Sequence, residues 1–164
     1  MSLQVNLSSK EINDAYQSVV AGKGIDWVVF TYDKGTNDLK VQSTGDGGLE
    51  ELQEEFSDGR SVISRLAARP SSPPTPRIQY ALARVTDPNV RSFHSASALR
   101  VELRCLFDTQ SKLAKLVQIN WCGDGVPVAK KGLFHSHSSA VARFLRGTHV
   151  VIHARNEVCI FPWT

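Results

Sequence analysis

The chain has 164 residues, with 41% apolar residues, 21% charged residues and a formal net charge of +3; these are the proportions of one soluble globular domain, not of a collagenous, disordered or membrane-embedded chain. No run approaches the roughly 18 apolar residues needed to span a bilayer, and the start MSLQVNLSSKEIND has neither the basic head nor the apolar core of a secretory signal, so an intracellular protein is expected. Cys105, Cys122 and Cys159 are odd in number and widely spaced, which speaks against a disulfide framework or a paired-cysteine metal site and for reduced thiols.

In chain order, Ser8 followed by Glu11 has the form of a capping box, and Ile12, Ala15, Tyr16, Val19 and Val20 recur at helical spacing until Gly22 and Gly24. An amphipathic first helix is predicted. DWVVFTY and DLKVQST, separated by KGTN, are predicted as a hairpin of two strands. After the turn TGDGG, the segment LEELQEEF places Leu49, Leu52 and Phe56 on one helical face, with Glu50, Glu51, Glu54 and Glu55 expected on a solvated one. IQYALARV, KLVQINW and HVVIHA are predicted as the third, fourth and fifth strands.

Between the last two lies PVAKKGLFHSHSSAVARFLRG, a long helix opened by Pro127 and closed by Gly147. Phe134, Val141 and Leu145 are its predicted inward stripe, widened by Leu133 and Phe144, and Lys131, His135, Ser138 and Ala142 are expected on the other side. The order describes an α/β (α+β) fold with a mixed sheet and helices on its faces. That architecture names no function by itself.

Four strings carry more. IDWVVFTYDKGTNDLKVQSTGDGGLEEL, YALARVTDPN, KLVQINWCGDGVPVAKKG and FLRGTHVVIHAR occur in the order found in actin-depolymerising-factor-homology (cofilin-like) domains of the drebrin, actin-binding-protein-one and coactosin branch, and the chain resembles that family over about two-thirds of its length. The resemblance implies a central five-stranded mixed sheet flanked by helices, with no catalysis and no cofactor. It also implies side-binding to filamentous actin, preferred over monomeric actin, by a monomer in the cytoplasm, at the actin cytoskeleton and cell cortex. Lys131 matches the family's basic position near the start of the long helix, with Lys130 beside it; Lys115 matches a basic position before the strand that ends in tryptophan, with Lys112 close by.

Two stretches depart from the family pattern. Removing residues 61–77 or residues 90–110 restores continuity, and residues 158–164 do not match, so a single domain is expected over 1–157, interrupted twice and followed by a non-family tail. The residues at these edges can be encoded by donor-like and acceptor-like splice signals, which suggests translated intron sequence. The family's terminal helix is expected to be missing, leaving sheet surface open.

Residues of two other function classes are present. Arg65, Arg69, Arg77, Arg91, Arg100 and Arg104 make the two interruptions basic, as in a nucleic-acid-binding module, but no recognition motif or interleaved aromatic pattern accompanies them. His135 with His137, and His149 with His153, could suggest a metal enzyme. An HxH pair on a helix diverges by about 200°, and no cysteine or carboxylate stands at matching spacing, so neither metal nor nucleic acid is expected, nor a membrane.

Overall fold

A computed structural model of the chain describes residues 5–33, 36–56, 78–85, 113–123 and 126–154. Among these, the elements are α1 (Lys10–Ala21), β1 (Trp27–Tyr32), β2 (Leu39–Gly45), α2 (Gly48–Phe56), β3 (Ile78–Val85), β4 (Lys115–Cys122), α3 (Val128–Phe144) and β5 (Val150–Ala154). Stretches 61–77, 90–110 and 158–164 lie outside the described residues, as do Cys105 and Cys159; Cys122 is a buried free thiol.

The five strands form one sheet in the order β2-β1-β3-β4-β5. The first four are antiparallel, and β5 lies parallel to β4, from Val117 opposite Val150 to Trp121 opposite Ala154. A parallel neighbour cannot be reached by a tight turn; α3 supplies the crossover. The sheet is therefore mixed, as the segment order predicts.

Strand alternation divides the core between two faces. Trp27, Val29, Ala81, Ala83, Val117, Ile119 and Ile152 pack with Leu49, Leu52 and Phe56 of α2. Val28, Phe30, Tyr80, Leu82 and Leu116 pack on the other face with Ile12 and Val19 of α1 and with Phe134, Val141 and Leu145 of α3. Val117, Ile119 and Ile152 on the first face are buried.

Local chemistry differs from the sequence reading at four points. The N-cap of α1 is Ser9, with no side-chain cap, and no capping box forms; Asn6 Oδ1 instead accepts from the Ser8 amide at 3.0 Å. Val20 is exposed, while Gly22, with φ of 63°, ends the helix in the left-handed conformation that favours glycine. The α2 acids are not simply solvated. Glu51 Oε2 accepts from Trp27 Nε1 at 3.0 Å and from the Gly47 amide at 2.9 Å, and Glu55 Oε2 accepts from Ser43 Oγ at 2.8 Å. A bulge in β2 shifts the register between Val29 opposite Ser43 and Phe30 opposite Val41. It places Gln42 so that its Oε1 accepts from Gln79 Nε2 at 2.9 Å.

Candidate functional site

The N-terminal turn of α3 is built to be reached from outside. Pro127 is its N-cap, so no side chain caps the helix, and the Pro127 carbonyl accepts from the amides of Lys130 at 2.9 Å and Lys131 at 3.0 Å. Val128 is 84% exposed, Lys130 is exposed and Lys131 is half-buried. No acid stands in this turn, although the positive end of the helix dipole favours one. The two lysines therefore stand beside an exposed apolar side chain in a turn that holds no acid.

Lys115 lies elsewhere. It is the first residue of β4, half-buried and opposite Val85. By alternation it falls on the α2 face with Val117 and Ile119, whereas α3 covers the other face. Seven residue steps of β4, about 23 Å at about 3.3 Å each, separate it from Cys122, after which α3 begins. The structure thus brings Lys130 and Lys131 together and sets Lys115 apart from them; neither Lys115 nor Lys131 is without a partner in the fold. Lys112 lies outside the described residues.

What does lie near that end of β4 is the turn that follows α3. The His149 amide donates to the Leu116 carbonyl at 2.8 Å, and His149 Nδ1 accepts from the Leu116 amide at 3.1 Å. The preceding Arg146 is exposed, and its carbonyl accepts from Tyr16 Oη of α1 at 2.5 Å. Arg84, opposite Leu116 in the ladder, rests its guanidinium over Gly22. The parallel crossover brings Arg146 to the start of β4 and the antiparallel β3–β4 ladder brings Arg84 there, so sequence spacing shows neither.

Beneath α3 the apolar core encloses several polar groups. Tyr32 Oη lies 2.8 Å from Tyr80 Oη and 2.6 Å from His137 Nδ1, so with Nδ1 as acceptor the donors run from Tyr80 to Tyr32 to His137. Burial pushes the Tyr32 phenol up to about 12, against a lowering by its hydrogen bond to Tyr80. Tyr80 is driven higher still, first by burial and then by the neighbouring Tyr32. Phe134 stacks on Tyr80 at 5.9 Å. Gln118 and Asn120, both fully buried, are joined by a 2.8 Å bond from Gln118 Nε2 to Asn120 Oδ1.

These positions correct the helical wheel read from sequence. Lys131 and His135 lie outward as expected, but Ser138 is buried, its Oγ donating to the His135 carbonyl at 2.9 Å. His135 is exposed while His137 is 2% exposed, so the two imidazoles diverge. His149 is taken up by Leu116, and the His153 ring meets Phe134 edge-on at 6.2 Å. Among the described residues no group of three or more His, Cys, Asp or Glu could hold a metal ion, and no helix is long and apolar enough to cross a membrane.

A mixed sheet with a long crossover helix, whose leading turn is basic and partly apolar, is a fold of α+β class. Residues 4–158 match the family model of cofilin/tropomyosin-type actin-binding proteins, and the chain belongs to that family. It is similar to drebrin-like protein B of Xenopus laevis, 36% identical over 163 residues, covering 99% of this chain and 33% of that protein. It is also similar to the drebrin-like protein of Mus musculus, at 35% identity, with 99% and 29% covered. The chain spans about a third of the length of these curated relatives.

Among solved structures, the cofilin homology domain of a yeast actin-binding protein superposes with a TM-score of 0.59 at 23% identity, covering 95% of this chain and 91% of that one. Coactosin from Entamoeba histolytica gives 0.60 at 21%, covering 96% and 89%. The fold is thus the cofilin-like one, and the relatives fall in the drebrin, actin-binding-protein-one and coactosin branch.

Proposed function

We propose that this chain binds actin, along the sides of filaments in preference to monomers, as a monomeric, non-catalytic module of the cortical and endocytic cytoskeleton. The observation that carries this reading is the acid-free leading turn of α3, where Lys130 and Lys131 stand beside the exposed Val128, on a chain that belongs to a family of actin-binding proteins. Actin is acidic, so exposed lysines speed encounter and set orientation while apolar surface supplies burial.

Lys115, with Lys112, forms the second contact. Its place at the far end of β4 and on the other sheet face means that it meets a different part of the actin surface from α3. The stretches 61–77 and 90–110, read as insertions of intron origin, weaken this contact, because the second ends just before Lys112.

Co-sedimentation tests the reading. Saturable pelleting with filaments, stronger than binding to monomers, is the expected result, and a version lacking 61–77 and 90–110 should pellet at lower filament concentration. Binding to duplex DNA without pelleting would replace this function with a nucleic-acid-binding one.

A further inference from the structure

Gly132 occupies the exposed side of α3 one turn after its start, a place where glycine is the weakest helix former after proline. Nothing in the described fold asks for it. Its φ is not positive, unlike that of Gly22 at 63°, and a Cβ built on it would meet no atom within 4 Å among the described residues. Gly45 is the contrast: a Cβ there would run into the Trp27 indole and the Glu51 carboxylate.

The missing side chain of Gly132 leaves a notch in an otherwise projecting ridge. Residues four apart stack along one helix face, so Val128, 84% exposed, stands on one side of the notch and the exposed Ser136 on the other. Lys131 and Lys130 belong to the same turn, pointing about 100° and about 200° round the helix from the notch, and α3 carries no acid anywhere from Val128 to Phe144. The surface therefore combines an apolar projection, a gap reaching the helix backbone and positive charge, which suits an acidic protein surface with its own projecting side chain.

We propose that Gly132 is a close-approach position, kept bare so that a side chain of the bound partner seats against the α3 backbone between Val128 and Ser136. The inference rests on the actin reading above and names the residue that sets how near the two surfaces come. A single methyl at Gly132 would fill the notch, and overfilling a packed contact is costly even when the added group is small.

The test compares the full chain with Gly132→Ala and Gly132→Leu, measuring thermal unfolding and affinity for actin filaments. Both variants should unfold at higher temperature, since each is a better helix former. Affinity should nevertheless fall, by about tenfold for Ala and further for Leu. That opposition separates loss of fit from loss of fold. Variants that bind as tightly as the parent would overturn the assignment of Gly132 while leaving the actin reading intact; a parent chain that binds no actin would overturn that reading and the assignment with it.

Discussion

The hydroxyl of Tyr32 and Nδ1 of His137 stand 2.6 Å apart across 105 residues of sequence, and this contact ties the middle of α3 to the first strand of the sheet. Because Tyr32 also meets Tyr80 at 2.8 Å, one hydroxyl serves two buried partners. Replacing it leaves both short. Tyr32→Phe should therefore destabilise the fold by about 1–3 kcal/mol, the scale of leaving buried polar groups unmatched. Urea denaturation of Tyr32→Phe, His137→Phe and the double variant checks this, and the double variant should lose clearly less than the sum of the singles.

The same phenols make stability depend on alkaline pH. In the unfolded chain a tyrosine loses its proton near 10, whereas the folded Tyr32 holds it to about 12 and Tyr80 to a still higher pH. Between those values the unfolded state releases protons that the folded state keeps, so stability is fully present below pH 10 and falls as pH rises toward 12. Thermal unfolding from pH 8 to 11.5 should show this decline, and it should be shallower in Tyr32→Phe. Equal slopes in the two proteins would contradict the assignment.

Gly45 ends β2 where the Trp27 indole and the Glu51 carboxylate converge. Gly45→Ala should cost about 1–3 kcal/mol through overpacking, with a matching drop in the urea midpoint. A shift in Trp27 fluorescence should accompany it, since the indole N–H is held by Glu51 at 3.0 Å.

Lys115 opens β4, and Lys131 stands in the first turn of α3, which begins after the other end of that strand; seven strand steps of about 3.3 Å each exceed the screening length of about 8 Å at physiological salt. Lys115→Ala and Lys131→Ala should each weaken filament binding in a salt-dependent way, and their effects should add to within about 0.5 kcal/mol. Strong non-additivity in a pelleting titration would mean that the two side chains serve one contact.

Much of this was legible from periodicity. The short apolar run IQYALARV marks β3 at its observed bounds, Ile78–Val85, and helical spacing marks Leu49, Leu52 and Phe56 as the buried stripe of α2. What misled was polarity within a correct pattern. Ser138 follows Phe134 by four residues, so spacing alone puts it inside, but a hydroxyl argues for the surface until its bond to the His135 carbonyl is known. His137 reads as a possible ligand because it forms an HxH pair with His135, and its actual partner, Tyr32, is distant in sequence. The lysines were legible as residues but not as a site, because their separation is set by strand register and the crossover through α3.

That crossover also assigns α3 a protective task. Among the described residues β5 is joined to the sheet only along β4, in a parallel pairing that no short turn can make, so its place depends on the crossover through α3. A change that frees α3 from Tyr32 would loosen β5 as well, baring the edge of β4 from Val117 to Trp121. Such an apolar strand with unpaired amides is a template for aggregation. Damage to the helix should first become visible as loss of solubility, ahead of any change in what the helix can bind.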